Sequence, residues 1–460
     1  MRIAVVGSGI AGLSAAWKLS GRHAVVLFEA DTRLGGHTHT VDIELEGRSQ
    51  AVDTGFLVYN ERTYPLLIAL FQQLGVVSAP SDMSFSVSRG PHQLEWCGSS
   101  LSTLFAQRSN LVSPRFWGML RDILRFNRQA TRLAQAMLHP DRGYDASEKA
   151  RGAPAGMAFG DSTLDTALEV FLRREGYGEA FAADYLLPMA AAIWSCPMDQ
   201  MRAFPMGTFV RFFHNHGLLQ IANRPRWFTV RGGARHYVDK LAQSVHDIRL
   251  GTPVTAVEPI SHPQARVQVT TSRGREQFDA VVLACHSDQS LRVLKRPRPE
   301  QREVLQAIRY QPNRAWLHTD DRLMPRARKA WAAWNYLSDT LRGTGAGSGE
   351  GETSDRLAVS VSYWLNRLQP LDIQTPVFVS LNPLREPDPG RVLRIIDYAH
   401  PVFDLEAVRA QRRLPLIQGM DGIWLAGAWT GYGFHEDGLR SGLSVAQAVD
   451  QASPPMALAA

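Results

Sequence analysis

Cysteine, lysine and long apolar runs are what this chain has least of. Its three cysteines, Cys97, Cys196 and Cys285, are odd in number and far apart, so neither a disulfide framework nor a zinc site is expected, and a reducing cytoplasm fits best. Only five of the fifty basic residues are lysine. The basic residues form no runs interleaved with aromatics, so nucleic acid is not an expected partner despite a net charge of +6. No uninterrupted apolar run approaches the ~18 residues of a membrane span; YLLPMAAAIW, residues 185–194, is short and carries a proline. The opening MRIAVVGSGIAGLSAAWKLSGRHA has the charge and apolar run of a signal peptide. Three glycines at fixed spacing interrupt it and a second strand follows, so it is expected to be folded structure. At 460 residues, 45% hydrophobic and 20% charged, the chain has the balance of a globular protein too long for one core. Two lobes sharing a cleft are expected.

What is present starts at once. Arg2–Val6 reads as a buried strand, Gly7, Gly9 and Gly12 form GxGxxG, IAGLSAAWKLS has helical character, and AVVLFE ends on Glu29. In such a unit the first glycine permits the tight turn, the second lets backbone approach a pyrophosphate, and the third lets helix and strand pack closely. Amides of Ile10 and Ala11 at the helix N-terminus supply positive dipole to the phosphates. Glu29 and the following Ala30 are placed at the ribose, where an acid argues against a 2′-phosphate. The motif by itself leaves NAD and FAD both open.

After Glu29 comes ADTRLGGHTHT. Gly35-Gly36 behind Arg33 resembles the second phosphate-side signature of the flavin amine oxidoreductases, the superfamily of monoamine oxidases, phytoene desaturases and protoporphyrinogen oxidases. The resemblance implies non-covalent FAD. It also implies an α/β fold with a Rossmann-like FAD-binding domain of the GR2 type and a second, mixed α+β substrate domain. A basic residue usually follows the paired glycines; here it is His37. AVDTGFLVYNERTYP resembles the segment that runs past the flavin ring, so Gly55, Phe56, Leu57 and Val58 would line the ring and Tyr59 would face substrate. FTVRGGARHYVDKLA and LGTPVTAVE match two further segments, the second placing Val254 at the adenine. GIWLAGAWTGYGFHEDGLRSG resembles the C-terminal FAD motif: an Ala-Gly turn at Gly427, then a helix whose amides at Asp437, Gly438 and Leu439 would stabilise negative charge on the reduced flavin. That motif holds no cysteine, so a covalent flavin link is not expected.

Because these motifs lie at the beginning, middle and end, the FAD domain is expected to be discontinuous, 1–80, 226–300 and 413–450. The substrate domain then takes 81–225 and 301–412, with 451–460 as a tail and Arg342–Arg356 as a Gly/Ser-rich loop. SPRFWGMLRDILRFNRQATRLAQAML, 113–138, predicts a helix capped by Ser113, with Arg121, Arg125, Arg128 and Arg132 on one face. Such a face suits either peripheral contact with the inner membrane face or plain solvation.

Phrases such as LACHSDQS, WLHTDDRLMP, YWLNRLQ and GFHEDGLRSG resemble a bacterial subgroup encoded beside cyclopropane-fatty-acid-synthase-like methyltransferases. This implies an unsaturated or methyl-branched fatty acyl substrate and such a methyltransferase as partner. Flavin N5 takes a hydride from an activated C–H bond, so dehydrogenation or isomerisation at an allylic position is expected. The alternatives are an amine or polyamine oxidase with acids at the substrate mouth, and a non-catalytic flavoprotein partner. Trp429, Tyr432 and Phe434 are candidates for an aromatic wall. His435 is a candidate acid or base beside a structural reading, and Cys285, His286 and His318 are read as structural.

Overall fold

The computed structural model describes residues 1–90, 93–138, 166–220, 223–262, 265–341 and 356–453. Strand β1 (Arg2–Val6) leads through the glycine turn into helix α1 (Ile10–Ser20), and β2 (Ala24–Phe28) returns beside β1 in parallel. Three further strands, β3 (Asp247–Arg249), β4 (Ala280–Leu283) and β5 (Ile423–Leu425), complete a parallel sheet of order β3-β2-β1-β4-β5. Parallel strands are covered on both faces and read as continuous apolar runs; Ile3, Ala4, Val5, Val281, Val282 and Leu283 are completely buried. One face packs on α1 and on the last helix, α3 (His435–Ala452). The other packs on the antiparallel strands Val254–His262, Ala265–Thr271 and Gly274–Phe278 and the helix Pro299–Ala307.

The two glycines that set these contacts differ from ordinary turn glycines. A Cβ on Gly12 would sit 2.9 Å from the Gly7 carbonyl carbon and closer still to its oxygen. A Cβ on Gly442 would sit 3.0 Å from the Ala11 carbonyl carbon, so α3 lies against α1 only because position 442 has no side chain. Glu436 ties α3 to the helix Pro65–Leu74: its carboxylate accepts from the amides of Leu66 at 2.9 Å and Leu67 at 3.0 Å, two orphan donors of that helix's first turn.

The second lobe is a seven-stranded mixed sheet of order 392–402, 309–318, 378–381, 356–364, 334–341, 85–89 and 94–97. A helical layer, including α2 (Pro114–Leu138), Leu187–Trp194 and Met206–Asn215, packs with it in the largest apolar cluster. Ser113 Oγ accepts from Phe116 N at 3.3 Å, capping α2 as expected. Phe116, Met119, Phe126, Ala130 and Leu133 form its buried stripe. Asp53 fastens the lobes to one another. Its carboxylate accepts from Thr40 Oγ1 at 2.5 Å, Ala234 N at 3.0 Å and Gln369 Nε2 at 2.7 Å, and burial pushes its pKa up to about 6. The Gly/Ser-rich loop of 342–356 falls, but for Arg356, outside the described residues, as does the tail beyond Ser453.

Candidate functional site

A cavity of about 650 Å³ runs between the two lobes. Its nucleotide end is lined by Gly7, Gly9, Ile10, Ala11, Glu29, Ala30, Gly35, Gly36 and Val254, with Thr252 and Pro253 beside Val254. Glu29 is oriented by its neighbours: Ser8 N and Ser8 Oγ donate to Oε2 at 2.8 and 2.5 Å, and Asp31 N donates to Oε1 at 2.8 Å. Gly35 N donates to Ser8 O at 3.0 Å, and Gly9 and Gly35 form an isolated parallel bridge, which brings the two glycine motifs together although 26 residues separate them. Gly12 and Arg33 support this end without lining it. Arg33 donates to Gly36 O at 2.8 Å and so holds the loop.

This end fits FAD by two observations. A Cβ on Gly9 would meet nothing within 4 Å, so the glycine is not required by the chain's own packing and leaves room for a close approach to a diphosphate. His37 Nε2 is buried and has no hydrogen-bond partner, an orphan that a bound polar group would satisfy. His37 stacks on Tyr398 with centroids 4.8 Å apart and lies 5.2 Å from His400 and 6.3 Å from His286. Burial, then the neighbouring imidazoles, hold its pKa well below the usual histidine value. His286 and Cys285, read from sequence as structural, line the cavity. His318 is structural: fully buried, it bonds Ser380 Oγ at 2.8 Å.

Gly55, Phe56, Leu57, Val58, Gly427 and His435 line the middle of the cavity. The ring of His435 stacks on Phe56 at 3.8 Å and 12°, and Nε2 meets Tyr237 OH at 2.6 Å. Burial drives its pKa down to about 3, so at neutral pH it is an uncharged wall and a very weak base. The stack on Phe56 and the bond to Tyr237 fit the structural reading that stood beside the acid–base one. The expectation for α3 is corrected. Asp437 N and Gly438 N both donate to Phe434 O, at 3.0 and 3.1 Å. The Asp437 carboxylate turns back to accept from Tyr432 N and Phe434 N at 3.1 Å. Asp437, Gly438 and Leu439 are buried and do not line the cavity. The helix begins at His435, so the amides without an intrahelical acceptor are those of His435 and Glu436.

Beyond this the cavity opens into an apolar chamber. Trp194, Phe212, His216 and Phe434 form its wall: Phe434 stacks on Phe212 at 4.8 Å, and Trp194 lies 4.5 Å from Phe212. Leu57, Val58, Met83, Ile193, Leu218, Trp227, Trp334, Tyr363 and Leu381 complete it. Tyr432 lines the chamber as expected, and its backbone oxygen accepts from Trp194 Nε1 at 3.3 Å. Trp429 also lines the cavity, but beside Cys285, another cavity-lining residue, rather than in the chamber wall: it is buried, its Nε1 donating to Cys285 O at 3.2 Å. Tyr59 is also corrected. Gly55 to Val58 all line the cavity, whereas Tyr59, the first residue of the strand Tyr59–Asn60, packs on Phe71 at 5.4 Å and bonds Ser78 Oγ away from it. His216 stacks on Phe212 at 3.9 Å and has its pKa lowered to about 4 by burial. The sole acid lining the whole cavity among the described residues is Glu29, at the nucleotide end.

Comparison with known proteins agrees with this geometry. Residues 10–352 match the model of the family described as flavin containing amine oxidoreductase. The carotenoid phi-ring synthase of Streptomyces griseus is 28% identical over 320 residues, 65% of this chain and 54% of that protein, so the chain spans about half the length of this curated relative. Among solved structures, the CLA-producing fatty acid isomerase from P. acnes superposes with a TM-score of 0.62 at 15% identity, covering 98% of both chains. Cyclohexylamine oxidase from Brevibacterium oxydans gives 0.64 at 14% identity, covering 98% of this chain and 99% of that one. At these identities the likeness is one of fold. The family match covers well over half the chain and agrees with the glycine cradle and the cleft. The chain belongs to the flavin containing amine oxidoreductase family.

Proposed function

We propose that the protein oxidises or isomerises an unsaturated or methyl-branched fatty acyl chain at an allylic position. The observation that carries this reading is the chamber wall: aromatic and aliphatic, with no carboxylate, and with His216 and His435 held neutral by burial. An ammonium-bearing substrate would leave water there without a counter-charge, which is strongly unfavourable. An acyl chain would exchange water for Leu57, Val58, Ile193 and Leu218 at a gain of roughly 0.8 kcal/mol per buried methylene. That a relative acts in carotenoid synthesis and a structural neighbour isomerises a fatty acid supports the same substrate class.

Bound FAD would supply the redox chemistry, acceptance of a hydride equivalent from a C–H bond activated by a neighbouring double bond, with oxygen or a quinone as final acceptor in net oxidation. The chain's own part is positioning. Ser8 and Asp31 orient Glu29 for the ribose, Gly9 and Gly36 clear the diphosphate path, and His37 offers Nε2 to a polar group of the cofactor. Phe56 and His435 stack as one rigid slab at the middle of the cleft, and Trp194, Phe212 and Phe434 exclude water from the reacting bond. A cyclopropane-synthase-like methyltransferase that supplies or consumes the chain belongs to this proposal as partner.

Product analysis tests it. With FAD and air, oleoyl and mid-chain-methylated oleoyl lipids should gain or shift a double bond by mass spectrometry, while a saturated chain of equal length is returned unchanged. Equal conversion of the saturated chain, or conversion of putrescine alone, would overturn it.

A further inference from the structure

Half of the exposed large apolar residues of the described chain fall within one short stretch: Leu101, Leu111, Val112, Trp117 and Leu124, from 48% to 82% accessible. They are gathered in space. Trp117 Nε1 donates to Leu111 O at 2.9 Å, and the Phe105 ring, just after Leu101–Leu104, lies 5.7 Å from that of Trp117. On α2, positions 117, 121, 124 and 128 follow i, i+4, i+7 and i+11, so Trp117, Arg121, Leu124 and Arg128 share one outward stripe opposite the buried one, and Arg132 continues it.

The charge on this face has one sign. Between Leu101 and Leu138 the single acid is Asp122, which is buried, against six arginines. Arg115 pairs with Asp184 at 2.7 Å, Arg125 folds over the Tyr177 ring at 3.9 Å, Arg121 Nε lies 3.6 Å from Asp122, and Arg128 Nε donates to Leu124 O at 3.3 Å. Arg108, Arg121, Arg128 and Arg132 remain exposed. The short turn Arg328–Ala330, carrying Lys329, packs against Leu101–Leu104 and adds to the basic rim. A cytosolic protein partner would have to cover bare leucine, valine and tryptophan ringed by arginine. An anionic bilayer meets both features: tryptophan and leucine enter the interfacial layer while arginine pairs with headgroup phosphate.

We propose that this face docks the protein on an anionic lipid surface. A depression on α2 is lined by Leu124, Arg128, Arg132 and Leu219, and the chain neighbour Leu218 lines the chamber. Docking deepens the acyl-chain reading but is measured without turnover, so either can fail alone.

The test is co-sedimentation of FAD-loaded protein with vesicles of phosphatidylcholine and of phosphatidylcholine mixed with phosphatidylglycerol. Binding is expected to the mixed vesicles and to fall as salt is raised. Arg121→Gln and Arg128→Gln should each weaken it about fivefold. Val112→Asp combined with Trp117→Asp should abolish it while the flavin spectrum and melting temperature stay as in the parent. Equal binding to both vesicle types, or undiminished binding by the double variant, would overturn the proposal. It would also fall if lipid-free protein sedimented as a dimer that the double variant converts to monomer, for the face would then join two copies.

Discussion

Gly9 and Gly12 belong to one motif, yet the structure separates what they do. Gly9 has φ −63°, a conformation open to any residue, and a Cβ there meets nothing within 4 Å. Gly9→Ala should therefore leave the FAD-free protein as stable as the parent, or stabilise it by about 0.4–1 kcal/mol through the lost entropy of the unfolded chain. Its methyl projects where the diphosphate must approach. An overlap of this kind costs about 1–3 kcal/mol, so FAD binding should weaken roughly 10- to 100-fold. Gly12→Ala inverts the pattern. Its Cβ would sit 2.9 Å from the Gly7 carbonyl carbon and 3.1 Å from Ala284 Cβ, a backbone collision that must part α1 from β1 and costs about 1–3 kcal/mol or more in the FAD-free fold. Thermal melts of both variants without FAD, beside flavin-fluorescence titrations, separate the two. FAD binding by Gly9→Ala at parental affinity, or an unshifted FAD-free melt for Gly12→Ala, would refute the reasoning.

Gly442→Ala should destabilise by about 1–3 kcal/mol, because its Cβ would press on the Ala11 carbonyl and Ser14 and force α3 off α1; a chemical-denaturation midpoint equal to the parent's would contradict this. Asp53→Ala strips acceptors from Thr40, Ala234 and Gln369 and should cost about 3 kcal/mol, read in the same denaturation experiment. The pH dependence follows from buried histidines. His216, His318, His400 and His435 are held neutral with pKa values near 4, 4, 4 and 3. Their folded values lie below the unfolded value of about 6.5, so the stability they confer is complete above that pH and is lost as pH falls towards 4. Asp53 and Asp437, raised to about 6, act in the opposite sense but are fewer. The melting temperature of the FAD-free protein should fall between pH 7 and pH 5; a flat or rising profile would count against this balance.

The nucleotide end was legible because each of its parts is local. A turn, a helix N-terminus and an acid at the end of the next strand are recognised within thirty residues, and backbone hydrogen bonds then join Gly35 to Ser8 and Thr252 to Glu29. The chamber was largely illegible. Met83, Trp194, Phe212, Trp334 and Tyr363 come from distant stretches, and only the pairing of strand 334–341 with 85–89 and 356–364 and the helical layer over it make them neighbours. Within motifs the failures are failures of direction. Tyr59 opens the short strand Tyr59–Asn60, and its ring is held against Phe71 and Ser78, away from the cavity that the preceding four residues line. At α3, the turn of the Asp437 carboxylate onto Tyr432 N and Phe434 N moves the free amides back to His435 and Glu436, which spacing alone does not reveal.

The central claim is that the chamber takes an acyl chain rather than an amine. The most direct measurement is the visible flavin spectrum of FAD-loaded protein, recorded without oxygen during titration with a cis-unsaturated phospholipid and, separately, with putrescine. The account predicts that the lipid shifts or bleaches the flavin bands and that putrescine leaves them unaltered. Bleaching by putrescine, with no response to the lipid, would contradict it.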